Sequence, residues 1–135
     1  MGNGKLEPAR PLSPHLQIYR PMLTMMMSIA HRVSGAATAI GFLLLAWWLV
    51  AIASGPEAYA TVSGFFASLP GQVLLFLFSW ALIHHMLGGI RHLIWDTGRA
   101  LDRTSIEVLA WATIVGSTLL TVLLWVAAYA LKEGA

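Results

Sequence analysis

The sequence predicts an all-α membrane protein with three transmembrane helices. Of its 135 residues, 58% are hydrophobic and only 10% are charged, whereas soluble domains average about 25% charged residues. Three apolar runs, about 25–53, 73–95 and 108–131, each approach the ~20 residues that cross a bilayer core. No segment between them is long enough for an aqueous domain, so 1–135 reads as one membrane-anchor domain. Charges this sparse leave most of the outer face to lipid or to another subunit.

Residues 1–23 form a polar arm punctuated by Pro8, Pro11, Pro14 and Pro21. Proline disfavours helix at the residue before it, so the arm is predicted to be irregular, with His15 a surface or interface residue. Met22–Met27 begins the first helix, and Met25–Met27 read as pliable packing. The core of this span carries Ser34, Gly35, Ala36, Ala37, Ala39 and Gly41, small residues that allow close helix approach in lipid. Trp47 and Trp48 suit the far interface.

Ser54-Gly55-Pro56-Glu57 ends that helix. Tyr59–Leu69 is predicted to form a short interfacial helix with Phe65, Phe66 and Leu69 toward lipid. Pro70-Gly71 opens the second span, and Gly98 with Arg99–Arg103 makes the next turn. Thr104 or Ser105 is expected to cap the third helix, with Glu107 in its first turn. The third span has no charge and reads as packing alone.

Charge placement predicts the orientation. Lys5, Arg10, Arg20 and Arg32 lie before or early in span one, and Arg91, Arg99 and Arg103 lie near the end of span two. Lys132 alone lies on the opposite side. The positive-inside rule therefore puts the N-terminus and the 96–106 loop in the cytoplasm, and the 54–70 loop and C-terminus in the periplasm. The formal net charge of +2 is explained by topology and calls for no nucleic acid. The absence of cysteine excludes disulfides, iron–sulfur ligation by this chain and c-type haem attachment. Neither a signal-peptide nor a transit-peptide pattern is visible, which predicts a bacterial inner-membrane protein.

Span two holds the densest chemistry. Ionisable groups inside a bilayer are costly and are functional candidates. On a helix, His85, Gly88, Gly89, His92 and, further on, Asp96 share one face. A flat metal-centred ring needs bare backbone one turn from its imidazole ligand, and the glycines offer that. His92 lies on the order of 10 Å along the helix from His85, a reach that suits a haem propionate. His84 shares its face with bulky Leu87, Arg91 and Trp95, which makes His85 the better ligand. The competing reading is two histidines bonded to neighbouring helices. Span one begins with Ser28, His31, Arg32 and Gly35 on one stripe. Arg32 can pair with carboxylates such as propionates or donate to a quinone carbonyl, and Ser28 can donate to the same ligand. The competing reading for Arg32 is an arginine snorkelling to the headgroups. Asp96 reads either as a proton donor near a quinone or as a partner for Arg91 or Arg99.

Three segments in order then match a known family. Arg10-Pro11-Leu12-Ser13-Pro14-His15-Leu16-Gln17-Ile18-Tyr19, Ser28-Ile29-x-His31-Arg32-x-Ser34-Gly35 and His85-x-x-x-Gly89-Ile90-Arg91-His92 resemble the cytochrome b556 subunits of succinate dehydrogenase, the larger membrane anchor of respiratory complex II. The resemblance covers about residues 10–98, and the form of the arm is similar to the mitochondrial and alphaproteobacterial branch. It implies a bundle completed by a second anchor subunit, with an iron–sulfur subunit and a flavoprotein as further partners. It implies a b-type haem shared with the second anchor, with His85 as this chain's axial ligand and His31, Arg32 and His92 near the propionates. It also implies a ubiquinone site at Ser28, Ile29 and Arg32, with Asp96 close by. The isolated chain is expected to have no activity. The alternatives are the anchor of a quinol:fumarate reductase and, in another class, a haem-free membrane scaffold. The lack of broken helices and acidic intramembrane residues argues against a transporter.

Overall fold

The computed structural model describes residues 19–133, and the arm at 1–18, including His15 and most of the first matched segment, lies outside them. The described residues form α1 (Leu23–Ser54), α2 (Pro56–Ala67), α3 (Leu69–Asp96) and α4 (Arg103–Glu133), with no strand among them. Helices α1, α3 and α4 are each long and apolar enough to cross a membrane. Helix α3 is central, with extensive seams against both α1 and α4, while α1 and α4 meet each other far less.

Helix boundaries follow local chemistry. Gly55 sits at φ 113°, ψ 179°, a region open essentially to glycine alone. That corner lets Pro56 occupy the first turn of α2, where its missing N–H costs nothing. The short helix therefore starts three residues earlier than Tyr59 and stops at Ala67. Phe65 and Phe66 pack beside Trp47, with ring centroids 5.7 and 6.0 Å away, and Phe65 stays 38% exposed on the outer face. Ser68 caps α3, its Oγ accepting from the Gly71 amide at 3.4 Å, and Pro70 is again tolerated in a first turn. This is why α3 starts at Leu69, four residues before the predicted Val73.

The cap of α4 differs from the expected Thr104 or Ser105. Asp102 Oδ1 accepts from the Ser105 amide at 3.0 Å, and its carbonyl accepts from Ile106. A carboxylate there meets both the free amides and the positive end of the helix dipole. Hydrogen bonding to the Ser105 side chain, then to its amide, holds the Asp102 carboxyl below its usual range. Before it, Gly98 ends α3 at φ 74°, its amide donating to the Trp95 carbonyl at 2.8 Å.

The buried positions are mostly small or polar. On α1 they are Met27, Ser34, Thr38, Gly41 and Ala51, and on α3 they are Gly71, Ala81, His84, Gly88 and Arg91. On α4 they are Ala110, Thr113, Ser117 and Thr121. Lipid offers helices no hydrophobic incentive to associate, so small residues that bring backbones close do that work. Gly41 lies under the Phe78 ring. Most large apolar side chains, such as Leu43, Val50, Leu93, Leu119 and Leu123, face outward.

The α2–α3 corner yields a test. A Cβ at Gly71 would strike the backbone of Phe65 and Phe66, whereas one at Gly64 would meet nothing. Gly71→Ala is expected to destabilise by about 1–3 kcal/mol as an overpacked site, and Gly64→Ala to be neutral or mildly stabilising as an exposed helical position. Thermal unfolding of the assembled, detergent-solubilised protein checks the pair, and equal midpoints for the two variants would contradict this packing.

Candidate functional site

The antiparallel α1–α3 seam gathers three histidines. His31 comes from α1, and His85 and His92 come from α3. The His31 and His85 rings stack with centroids 4.2 Å apart and planes 12° from parallel. His92 meets the His31 ring edge-on at 5.1 Å. His85 Nδ1 lies 3.1 Å from the His31 carbonyl oxygen. A carbonyl only accepts, so Nδ1 carries the proton and donates. In the neutral ring Nε2 then keeps its lone pair, the arrangement usual for a metal-bound imidazole.

Two glycines allow this close approach. A Cβ at Gly35 would fall 2.8 Å from His85 Cε1, and one at Gly88 would run into the His31 ring. Each helix thus uses a glycine to admit the other helix's histidine. This corrects the expectation that Gly88 and Gly89 both leave bare backbone for a bound disc. Gly88 is filled by His31, and only Gly89 has nothing within 4 Å of its would-be Cβ.

His84 faces the other way. It is 2% exposed and stacks on Trp80 with centroids 4.9 Å apart. Its Nδ1 lies 3.2 Å from Ser117 Oγ on α4. The Ser117 hydroxyl donates to the Ile114 carbonyl at 3.0 Å, so His84 Nδ1 is the donor in that pair. The adjacent histidines therefore bind opposite neighbours, His85 toward α1 and His84 toward α4, in line with the helical-phase reading.

Four further site residues lie at the same end of the bundle without joining the histidine stack. Ser28 is half-buried, and Ile29, Arg32 and Asp96 are exposed. The predicted stripe of Ser28, His31, Arg32 and Gly35 splits accordingly. His31 and Gly35 enter the α1–α3 seam, while Arg32 turns outward. Arg91 lies over the Trp95 ring at 5.2 Å rather than reaching past it to Asp96.

A polar row on α4 lies outside the motifs that the sequence singles out. Thr113, Ser117 and Thr121 are buried, and Thr113 and Thr121 donate to the carbonyls four residues back, Leu109 and Ser117. Their spacing of four in an uncharged helix is a visible signal of a face that avoids lipid. Toward the far end, Trp125 Nε1 donates to Ser79 Oγ at 3.4 Å and the Tyr129 hydroxyl to Gln72 Oε1 at 3.0 Å.

The donor set can be tested against a haem. Among the described residues no cluster of three or more ligating side chains could cage a bare metal ion. A haem iron is held mainly by its macrocycle and needs only axial ligands from protein. One imidazole with an anchored Nδ1–H, an open glycine beside it and a buried, unpartnered Nε2 on His31 fit that requirement.

Comparison with known proteins reaches most of the chain. Residues 7–124 match the family described as succinate dehydrogenase/fumarate reductase transmembrane subunit. The succinate dehydrogenase cytochrome b556 subunit of Paracoccus denitrificans is 42% identical over 114 residues, covering 84% of this chain and 88% of that protein. Its counterpart in Rickettsia bellii is 35% identical over 117 residues, covering 87% and 91%. The mitochondrial succinate dehydrogenase cytochrome B subunit of Schizosaccharomyces pombe is 37% identical over 115 residues, covering 82% and 64%.

The His84–Ser117 pair is open to mutation. Ser117→Ala leaves a buried N–H unpaired and is expected to cost about 1–3 kcal/mol. Thr118→Ala, at an exposed position whose hydroxyl bonds the Ile114 carbonyl of its own helix at 3.0 Å and lies 3.4 Å from Trp80 Nε1, is expected to be near neutral. Thermal midpoints of the two variants check this, and an unchanged midpoint for Ser117→Ala would remove His84 from its assigned structural role.

Proposed function

The chain belongs to the succinate dehydrogenase/fumarate reductase transmembrane-subunit family, and from that premise we propose that it carries half of a b-type haem site and part of a ubiquinone-reduction site. It is a multi-pass membrane anchor of succinate dehydrogenase. The second anchor, the iron–sulfur subunit and the flavoprotein complete the enzyme in this reading. The membrane is the bacterial inner membrane, with the start of α1 and the end of α3 on the cytoplasmic side, as the arginine and lysine asymmetry favours.

The observation that carries the haem reading is the His85 Nδ1–His31 carbonyl bond. It fixes the ring's tautomer and orientation, leaving Nε2 as the ligating atom. A bound haem supplies a one-electron redox centre. In this reading a second anchor subunit would complete the haem site that His85 begins. His31, Arg32 and His92 would hold the propionates. Arg32 is exposed at the end of the histidine stack, where its fork of N–H groups can donate to carboxylate oxygens.

The quinone reading places Ser28, Ile29 and Arg32 around one end of the ring, with Asp96 as a weaker neighbour. Ser28 Oγ and the Arg32 guanidinium donate to a quinone carbonyl oxygen and stabilise the negative charge that grows there on reduction. Ile29, 46% exposed, offers apolar surface to the ring. Asp96 can hold a proton at a carboxyl oxygen for delivery to the reduced ring. Electrons arrive from the partner subunits, so the chain alone has no turnover. Succinate oxidation is the favoured direction because the relatives compared are named as succinate dehydrogenases.

Two measurements separate these roles. His85→Ala in the assembled complex is expected to abolish or sharply weaken the α-band of a reduced-minus-oxidised spectrum, while His84→Ala keeps it. Equal retention in both variants would overturn the ligand assignment. Ser28→Ala and Arg32→Ala are expected to lower ubiquinone reduction by at least tenfold, about 1.4 kcal/mol of transition-state stabilisation, while succinate oxidation with an artificial acceptor stays intact. A parallel fall of both activities would point to failed assembly.

A further inference from the structure

The α3–α4 seam holds a charge that the haem and quinone roles leave unused. Arg91 is 4% exposed, and its Nε has no hydrogen-bond partner. Its guanidinium lies over Trp95, so the side chain runs along α3 toward the Asp96 end. An aromatic face only partly offsets the loss of water around a cation. A buried cation calls for an anion, and among the described residues no carboxylate lines the crevice beside it. Asp96, Asp102 and Glu107 are all exposed.

Beside Arg91 lies a crevice of about 130 Å³ between α3 and α4, walled by Leu87, Ile90, Ile94, Leu109 and Ala112. Thr113 also reaches it, but its hydroxyl proton is committed to the Leu109 carbonyl at 2.8 Å. The guanidinium is therefore the free donor. Ile90, 45% exposed, and the exposed Ala112 open the crevice to the outer face of the bundle. Arg91 precedes the end of α3 by five residues, roughly 7 Å along the axis, which is the depth of lipid headgroups. One cation at headgroup depth beside five apolar walls is complementary to an amphiphile with an anionic head.

We propose that this crevice binds one anionic phospholipid, with its phosphate on the Arg91 guanidinium and its first acyl carbons against Leu87, Ile90, Ile94, Leu109 and Ala112. The lipid neutralises the buried cation and fills the gap between α3 and α4. An acidic residue of a neighbouring subunit would satisfy the charge but not the acyl-sized apolar walls. The site is independent of the haem reading, since it shares no residue with it.

Native mass spectrometry of the delipidated complex tests this, with titration by phosphatidylglycerol, phosphatidylcholine or inorganic phosphate. Wild type is expected to hold one phosphatidylglycerol more than either Arg91→Gln or Ala112→Trp. The second variant fills the crevice from an exposed position and leaves the cation intact, so the test survives if Arg91→Gln fails to assemble. A tenfold excess of phosphatidylcholine is expected not to displace the bound lipid. Equal counts in wild type and Ala112→Trp, equal binding of phosphatidylcholine, or a thermal shift matched by inorganic phosphate alone would overturn the proposal. So would cross-linking that finds a partner carboxylate on Arg91.

Discussion

Two adjacent side chains on α3 point to opposite neighbours, and the arrangement of the three long helices depends on that division. His85 donates to a backbone carbonyl of α1, and His84 bonds to a hydroxyl of α4. Inside a bilayer there is no water to accept either proton, so each imidazole must find its partner within the protein. Consecutive residues on a helix are about 100° apart, so a single helix can meet both requirements only if it lies between two others. Helix α3 accordingly makes the two most extensive seams of the bundle, one with α1 and one with α4.

The two seams differ in kind. The α1–α3 seam is tight and reciprocal, with Gly35 admitting His85 and Gly88 admitting His31. The α3–α4 seam is a ladder of hydrogen bonds from His84 and Ser117 through Ser79 and Trp125 to Gln72 and Tyr129. Hydrogen bonds of this kind between membrane helices contribute about 0.6 kcal/mol each on average, so the ladder sets register more than it supplies stability. The seam proposed to hold a cofactor is thus the one in which glycines admit imidazole rings, with Gly89 left open beside them. The purely structural helix is fixed by ordinary polar side chains. A site that must accept a rigid ring benefits from glycines and from a ligand held by backbone, since neither adds a side chain to move aside.

Much of this was legible in the sequence. Apolar length defined three spans, and helical phase alone separated His85 from His84. The partner of His85 was not legible, because every residue has a carbonyl and nothing in the side-chain pattern marks that of His31. The occupant of Gly88 was not legible for a related reason. A glycine announces a close approach without saying what approaches, and here it is an imidazole from α1. Asp102 displaced Thr104 and Ser105 as the cap because a carboxylate answers the helix dipole as well as the free amides. The row of Thr113, Ser117 and Thr121 carried a readable spacing. An uncharged span nonetheless drew attention to its length and away from its polar face.

The central claim is that α3 assigns its two histidines to different tasks, one to a haem and one to the fold. A high-resolution structure of the assembled complex tests it most directly. Haem iron is expected on His85 Nε2, with Nδ1 still on the His31 carbonyl and His84 still on Ser117. Iron bonded to His84, or a haem-bound His85 turned away from that carbonyl, would contradict it.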